Sequence, residues 1–338
     1  MKSRNKTWNG MPIRIAVDAM GGDHAPEVVV EGAVNAAKSD PEIEVVLFGP
    51  DEQIRRLLPA DSPESVSIVD APDVIGMAES PSAALRKKTE SSIHRALGAH
   101  KAGKADAFVS AGNTGAVMAV SLVVLGRLGS ISRPSVIGLF PSIKGQVVVV
   151  DVGTNVDCKP EHLVHFAVMG SIYAERILGC DSPRVGLLNV GEERGKGNEL
   201  TKAAFDLLEQ TPAVNFAGNI EGRDILAHAA DVVVCDGFVG NVILKLGESV
   251  ASVLPKLVGA EMQHLGLPAE QQQIVAKTLS GVRKKFDYEE FGGAPLLGVD
   301  GNVIIGHGGS TVRAIENMVR SGAQLVRQGV RDALEKAA

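Results

Sequence analysis

The chain of 338 residues is poor in several residue types on which specialised folds and sites depend. It has three cysteines, Cys158, Cys180 and Cys235, with no CxxC pair. This spacing argues against a disulfide scaffold and is typical of reduced thiols in a cytoplasm. Aromatic residues make up 4% of the chain and the net charge is −6. Nucleic-acid binders normally carry a basic surface and stacking aromatics, so we expect no nucleic-acid partner.

Signatures of nucleotide, ester and metal chemistry are also missing. No GxGxxG follows the first apolar run, and the stretch Gly191–Gly197 is one residue short of a P-loop and lacks its Ser or Thr. Bound NAD, ATP and GTP are therefore not expected. The chain has no GxSxG elbow and no zinc-ligand spacing. We predict an activity that needs neither a cofactor nor a metal.

The sequence has no apolar leader at its start. The first residues, MKSRNKTWNG, are polar and predict a flexible extension over 1–12 rather than a signal peptide. The uncharged stretch 107–126 is long enough to span a bilayer. Its first half is rich in polar and small residues, which favours a strand, a loop and a buried helix instead: Ser110, Gly112, Asn113, Thr114 and Gly115.

What the chain does have is an alternation of short apolar runs with longer helical patterns. Continuously apolar runs such as VVVVDV are typical of strands buried on both faces of a parallel sheet. The alternation predicts a three-layer α/β/α fold with a largely parallel sheet, built as a single domain over 13–338. The predicted strands are Ile13–Ala19, Val45–Gly49, Val66–Asp70, Ala107–Ser110, Val136–Phe140, Val147–Val152, Val185–Val190, Val214–Ala217, Val232–Cys235 and Val303–Ile305. The clearest helical patterns are Glu27–Ala37, Ala83–Ala102, Ala116–Leu125 and Glu161–Leu178.

The region from Gly240 to Phe291 breaks the alternation. It contains two helical stretches and no strand, which predicts a helical hairpin at about 243–290 that turns near Gly266. Pro255 should kink the first helix or end it early. Apolar residues recur in that helix at helical spacing: Leu246, Val250, Val253, Leu254, Leu257 and Val258. This apolar face fits the core or a dimer interface, or else contact with a membrane surface.

Polar loops rich in Gly, Asn and Asp follow six of the predicted strands. They cover 18–26, 110–115, 151–157, 189–199, 236–241 and 306–311. In an open α/β sheet, ligands bind beyond the carboxyl ends of the strands. Helix N-termini there offer backbone N–H groups and a partial positive charge, and glycine lets an anion approach closely. Each loop could be an ordinary tight turn, but all six together predict a polar cleft for phosphate or another anion.

Charged side chains in these loops are the candidate catalytic groups. Lys196, inside a glycine loop, could reach an anion, and Lys245 follows another loop closely. His24 and His307 lie in two matching loops and could carry a proton. Asp18 and Asp236, at strand ends, could orient a His or Lys side chain, or cap a helix. The cluster Arg86–Lys88 is either a solvated face or a binding patch.

Ordered sequence blocks resemble the PlsX family of phosphate acyltransferases. The run Ile15–Pro26 resembles the N-terminal signature of that family, and further blocks match along nearly the whole chain. They are Ser110–Gly115, Asp151–Asp157 with Lys159–His162, Arg184–Gly191, Lys196–Thr201 and Asp236–Asn241. The first ten residues and the region 246–290 match the family least.

The resemblance implies an acyltransferase with a fold similar to isocitrate and isopropylmalate dehydrogenases and phosphotransacetylases. It implies transfer of a long-chain acyl group from acyl carrier protein to inorganic phosphate. The acyl phosphate product would feed a membrane glycerol-3-phosphate acyltransferase in phospholipid synthesis. A homodimer in the cytoplasm is expected, with the inner face of the membrane as an alternative location through 246–285. The competing hypotheses are a hydroxy-acid dehydrogenase on the same architecture and a peripheral membrane scaffold for lipid enzymes.

The residues can be assigned hypothetical roles in this reaction. Lys196 would neutralise phosphate and the developing oxyanion, while His24 or His307 would move a proton, with Asp236 as a further catalytic candidate. Hydrogen bonds around the site would come from Asn113, Thr114, Asn155, Asn198 and Asn241. The remaining substrate-binding candidates are Asp18, Gly21, Gly22, Asp23, Lys159, Gly197 and Lys245. Basic patches for the acidic carrier protein would be Arg86 and Lys87, and Arg283–Lys285.

Overall fold

The structure is a computed structural model and describes residues 10–286 and 288–337. Most of the predicted N-terminal extension, residues 1–9, lies outside the described residues. The strands, numbered in chain order, are β1 (Ile13–Asp18), β2 (Ile43–Gly49), β3 (Val66–Asp70), β4 (Ala107–Ser110), β5 (Ser135–Ser142), β6 (Gly145–Val150), β7 (Arg184–Leu188), β8 (Asn215–Ile220), β9 (Val232–Val234), β10 (Ala294–Leu297) and β11 (Val303–Ile305).

The helices follow the same convention. They are α1 (Glu27–Ser39), α2 (Asp51–Leu57), α3 (Pro81–Lys87), α4 (Ser92–Lys101), α5 (Thr114–Val124), α6 (Pro160–Tyr173), α7 (Glu199–Glu209), α8 (Gly222–Ala227), α9 (Gly237–His264), α10 (Ala269–Lys284), α11 (Tyr288–Phe291), α12 (Val312–Arg327) and α13 (Val330–Ala337). A π-helical turn, Ala174–Leu178, continues α6.

The chain divides into two compact units. The first comprises residues 1–137, 171–182 and 291–338, and the second comprises 138–170 and 183–290. Strand β5 begins in the first unit and ends in the second. The single domain predicted over 13–338 stays a prediction.

The sheet of the first unit is covered by helices on both faces. Its strands follow the order β3-β2-β1-β4-β11-β10, in which β10 alone runs antiparallel to its neighbour. Alternate residues of a strand point to opposite faces. Ile15 and Val109 therefore face α12, where Gly322 lies against them. Ala16 and Phe108 point the other way, into the core cluster formed with α4 and α5.

The second unit contains a parallel sheet with the strand order β6-β9-β7-β8. Its central strands are continuously apolar, and the side chains of Val148 and Val233 are fully buried. Gly170 of α6 lies directly against Val150 and Val232, so a larger residue there would push the helix off the sheet. The predicted α/β fold with a largely parallel sheet is confirmed.

Two parts of the secondary structure differ from the sequence prediction. Every predicted strand is present, but β10 was missed because Pro295 within it argues against a strand. The single helix predicted over 83–102 is two helices, since Ser91 caps α4 by accepting the N–H of His94. Arg86 and Lys87 consequently lie in the last turn of α3, not early in a long helix.

The helical hairpin is present as α9 and α10, which pack against each other. Pro255 lies within α9, which continues to His264 instead of ending early. Pro255 and Gly259 line a small space between α9 and α10. Large apolar side chains of α9 are exposed, with Leu246 at 63% and Leu257 at 61%. Among the described residues α9 is the helix that has the length and composition to span a membrane, and 11% of its apolar stretch is buried.

Candidate active site

Three of the six predicted loops meet in the first unit. They are 18–26, 110–115 and 306–311, which follow β1, β4 and β11, three neighbouring parallel strands, and α5 already begins at Thr114. The N–H of Asp23 donates to the carbonyl of Gly308 at 2.7 Å, and that of Gly306 donates to Ser110 at 2.8 Å. A Cβ on Gly21 would lie 2.6 Å from the backbone nitrogen of Gly112. Glycine is required where these loops touch.

The buried side chain of Asp18 stabilises this first loop group. Its side chain is 1% exposed, and its carboxylate accepts the Ser110 hydroxyl at 2.6 Å and the N–H of Met20 at 3.2 Å. Burial raises the pKa of Asp18, while hydrogen bonds from Ser110, Ser92 and Met20 act in the opposite direction. The sequence placed Asp18 among substrate-binding residues. The structure corrects this role, because the carboxylate contacts the loops and is shielded from solvent.

The buried Asp18 predicts how stability depends on pH. A carboxyl whose pKa is raised on folding contributes stability fully below its ordinary value of 3.8, and that contribution is lost as pH rises through the folded value. Asparagine stays neutral throughout. We therefore expect the free energy of unfolding of Asp18→Asn, relative to wild type, to increase as the pH rises above 3.8 and through the higher pKa of the folded state. Urea denaturation at several pH values measures this; a difference that is flat or decreasing with pH contradicts the burial argument.

Asn113 holds a neighbouring segment rather than a ligand. Its amide nitrogen donates to the carbonyls of Gly76, Met77 and Glu79, at 3.3, 3.0 and 2.7 Å. Its oxygen accepts the N–H of Ala116 and caps α5. Both ends of the amide are therefore occupied, which corrects its assignment as a substrate donor. Thr114, at the start of α5, is exposed and stays a candidate.

The two loop histidines lie in adjoining loops of the first unit. His24 and His307 are both exposed, as is Asp23. The Nδ1 atom of His307 accepts the N–H of Gly309 at 3.2 Å, which leaves Nε2 as the protonated nitrogen of the neutral ring. Either imidazole has the exposure that a proton carrier needs.

The other three predicted loops belong to the second unit and are called the second loop group. They are 151–157, 189–199 and 236–241, which follow β6, β7 and β9, and residues 237–241 of the last one form the first turn of α9. The N–H of Gly237 donates to the carbonyl of Asn155 at 2.8 Å. A Cβ on Gly240 would collide with the carbonyl oxygen of Asp151. These contacts join 151–157 to 236–241, while the loop 189–199 follows β7, the next strand but one from β6.

Asp151 shapes the first loop of this second group, a role that the sequence analysis missed. Its buried carboxylate accepts the N–H groups of Gly153, Thr154 and Asn155 at 2.7–2.9 Å. It also accepts the side-chain amide of Asn155 at 2.7 Å, so the predicted substrate donor Asn155 is engaged within its own loop. Burial raises the pKa of Asp151, against the effect of these donors. An Asp followed at short range by Gly, Thr and Asn was the available signal.

Lys196 keeps its predicted position at the mouth of a glycine-rich loop. Its ammonium is 3.9 Å from the carboxylate of Glu193, and half of its side chain is exposed. Gly197 follows with φ +92°, and a Cβ there would collide with Thr201 and Asn189. Lys196 is therefore presented to solvent by a loop that only glycine can form.

Helix capping accounts for further polar residues that the sequence analysis assigned to substrate. The side-chain oxygens of Asn198 and Asp236 accept the N–H groups of Thr201 and Val239, each at 2.9 Å. They cap α7 and α9, so Asp236 performs the alternative role foreseen for it. A cap satisfies about one of the four free N–H groups of a helix start, and the others stay available.

The remaining candidates of the second unit have separate environments. Lys245 lies two turns into α9, farther from the loop than predicted, and pairs with Glu248 at 2.9 Å. Asn241 and Lys159 are exposed, and Asn241 lies against Gly153. Burial raises the pKa of the Cys235 thiol well above its ordinary value, so this cysteine is not an activated nucleophile.

Comparison with known proteins identifies the family. The model of a family described as "Fatty acid synthesis protein" matches residues 13–333. The chain belongs to this family. It is 54% identical over 328 residues to "Phosphate acyltransferase" of Salinibacter ruber, covering 96% of this chain and 97% of that protein. A protein of the same name from Desulforamulus reducens is 48% identical over 328 residues, with the same coverage.

Solved structures share the fold of this family member. EutD phosphotransacetylase from Staphylococcus aureus has a TM-score of 0.60 and 16% identity, covering 94% of this chain and 95% of that one. A phosphotransacetylase from Streptococcus pyogenes has a TM-score of 0.60 and 18% identity, covering 93% and 94%. The resemblance seen in the sequence is confirmed. The chain is an acyltransferase, and the dehydrogenase hypothesis is set aside.

Proposed function

We propose that this acyltransferase moves a long-chain acyl group from the thioester of acyl carrier protein to inorganic phosphate. The observation that carries the proposal is Lys196, an exposed cation held by a glycine-rich loop before the N-terminus of α7. A cation beside a helix N-terminus is a favourable place for an anion. The names of the curated relatives support phosphate as the acceptor.

The reaction balances without a cofactor or a covalent enzyme intermediate. A phosphate oxygen attacks the thioester carbonyl carbon, the C–S bond breaks, and a proton passes from hydrogen phosphate to the leaving thiolate. Phosphate is anionic at neutral pH, so the protein mainly has to orient it, which is worth about 7–11 kcal/mol in favourable cases. Lys196 stabilises the phosphate and the developing oxyanion, and His24 or His307 carries the proton.

The test of this function is direct detection of the product. The full chain is incubated with palmitoyl acyl carrier protein and inorganic phosphate, and the mixture is analysed by mass spectrometry. Palmitoyl phosphate and free carrier protein are expected only when phosphate is present. Palmitoyl coenzyme A replaces the donor in a parallel reaction that identifies the thioester carrier. If neither donor yields acyl phosphate, the proposed reaction is wrong.

Carrier-protein docking and the onward use of the product are further parts of the proposal. Arg86 and Lys87 are exposed at the end of α3, and Arg283–Lys285 are exposed at the end of α10. Such basic clusters accelerate encounter with an acidic partner despite the net charge of −6. The acyl phosphate then serves a membrane glycerol-3-phosphate acyltransferase, with this enzyme acting as a homodimer in the cytoplasm.

The exposed apolar face of the hairpin supports contact with the inner face of the membrane. We expect the double variant Leu246→Glu and Leu257→Glu to bind phosphatidylglycerol vesicles at least about tenfold more weakly, because both side chains are exposed and apolar. Acyl transfer in solution should stay within about twofold, since neither residue lies in the loops. Vesicle sedimentation and the mass-spectrometric assay measure the two effects.

The matched control is Leu226→Glu on α8, where an equally apolar side chain is 47% exposed. It should leave vesicle binding unchanged. If the double variant binds vesicles normally but sediments as a monomer where wild type is a dimer, the face is a dimer interface instead. If acyl transfer is lost together with vesicle binding, the apolar face and the chemistry are not separable.

A further inference from the structure

A cavity in the first unit is lined by none of the residues of the six loops. It has a volume of about 400 Å³ and is bounded by strands β2 and β3, helix α4 and the segment that follows α4. Ligand sites in proteins commonly measure about 300–1,000 Å³ and are mostly apolar. Its lining residues are Val46, Phe48, Val69, Arg95, Gly98, Ala99, Ala102, Lys104 and Ala105.

Small residues of α4 line the cavity beside the helix face that is buried in the core. Gly98, Ala99 and the C-cap residue Ala102 recur at helical spacing with Arg95, while Ile93, Ala96 and Leu97 form the buried face. A helix that packs on a sheet normally fills this space with large apolar side chains. The small residues leave an open groove, which we call the α4 groove, above Val46 of β2.

Gly98 is the most informative residue of the α4 groove. It lies inside a helix, where glycine costs about 1 kcal/mol relative to alanine. A Cβ added there would meet no atom of the described residues within 4 Å. A larger side chain at this position would therefore extend into the groove without displacing the protein.

The floor of the α4 groove is apolar and continuous with the core. Val46 of β2 and Val69 of β3 are partly buried and pack against the cluster that contains Phe48. Phe48 pairs with Val69 in register, so the three side chains lie on the same face of the sheet. This surface suits an aliphatic chain, whose burial is worth about 0.8 kcal/mol per methylene.

Two cations, Arg95 and Lys104, line the α4 groove and determine which ligand charge it favours. Lys104 is exposed and has no ion-pair partner among the described residues. The other cation, Arg95, is paired with Glu90 at 3.2 Å. Asp106, two residues along the chain from Lys104, binds Arg14 at 2.8 Å, and Glu44 acts on the same arginine. One uncompensated positive charge therefore remains, at Lys104.

We propose that the α4 groove binds a single aliphatic chain that ends in an anionic headgroup, with the headgroup at Lys104. A fatty carboxylate and an acyl or alkyl phosphate share this chemistry. The site is separate from the loops that carry the proposed transfer reaction, because none of their residues lines the groove.

Calorimetric titration of the full chain tests this proposal. The probes are decanoate, decyl phosphate and decyltrimethylammonium, which share a chain and differ in the headgroup. We expect both anions to bind, the tighter one identifying the source of the ligand, and the cation to bind at least about tenfold more weakly. Equal affinity for all three would overturn the role of Lys104.

Two substitutions localise the binding. Gly98→Leu should weaken decanoate binding at least about tenfold, because the leucine side chain fills the groove without displacing the protein. Gly281→Leu, at another helical glycine whose Cβ would meet open space, is the matched control and should bind as wild type does. Lys104→Glu reverses the charge at the rim, leaves the helix face intact, and should also weaken decanoate binding.

Covalent mapping separates the α4 groove from other apolar surfaces. A photoreactive decanoate analogue should label peptides that contain residues 44–48 or 95–105, and Gly98→Leu should lose this label while it makes acyl phosphate at the wild-type rate. Labelling confined to the hairpin or to the loop groups refutes the proposal. Labelling of 95–105 that persists in Gly98→Leu and in Lys104→Glu refutes it as well. The proposed transfer reaction is unaffected by either result, since it is measured by its own product.

Discussion

Replacement of Lys196 by alanine is expected to lower phosphate-dependent acyl transfer at least about tenfold without unfolding the protein. Loss of a single group that stabilises an oxyanion typically costs about 2.7–4 kcal/mol. The side chain is half exposed and its charge is 3.9 Å from Glu193, so its removal leaves no buried group unpaired. The measurement is the initial rate of acyl phosphate formation at several phosphate concentrations.

The kinetic pattern shows how Lys196 acts. If it binds the ground-state phosphate, KM for phosphate rises and kcat changes little; if it stabilises the transition state, kcat falls. Lys196→Arg should recover part of the rate, because the positive charge is retained. Lys202→Ala, at an exposed lysine in the first turn of α7, is the control and should retain full activity. A wild-type rate in Lys196→Ala would remove this residue from the mechanism.

Replacement of Gly240 by alanine is expected to lower the free energy of unfolding by about 1–3 kcal/mol, the usual cost of overpacking. Its Cβ would overlap the carbonyl oxygen of Asp151, and backbone atoms cannot rotate away as a side chain can. The first turn of α9 and the loop 151–157 would have to separate. We expect acyl transfer to fall as well, because this movement disturbs the second loop group.

The same helix provides the control. Gly259 also lies in α9, but a Cβ there would meet no atom of the described part of the chain within 4 Å. Gly259→Ala should therefore leave stability unchanged or raise it by about 0.4–1 kcal/mol, through the lower entropy of the unfolded chain. Urea denaturation of the two variants in parallel gives the comparison. Equal stability of Gly240→Ala and Gly259→Ala would show that the contact with Asp151 does not constrain the fold.

The sequence predicted the strands well because each signal is local. A run such as Val147–Val150 is continuously apolar, and such a run is stable only where both faces of a strand are buried. The miss at β10 has the opposite cause. Its pairing with β11 and β5 is a tertiary event, and it overrides the local preference of Pro295 against a strand.

The roles of the loop residues were harder to predict. Loop composition predicted where functional groups concentrate, and among the residues that it marked, Asn113, Asn198 and Asp236 cap helices. The same short polar side chains suit a cap and a ligand, and the sequence cannot tell which partner a side chain reaches. The predicted assembly of all six loops in one cleft stays a prediction, supported by the contacts among three loops of the first unit and between two loops of the second.

By itself, the sequence determined the fold class, the family and the position of Lys196, because apolar periodicity, ordered motifs and glycine-rich loops are properties of neighbouring residues. Only the tertiary structure decided that Asp18 and Asp151 are buried braces, that Gly240 lies against Asp151, and that Gly98 opens a groove above the sheet. These roles depend on contacts between segments far apart in the chain, and such contacts arise only when helices and strands pack.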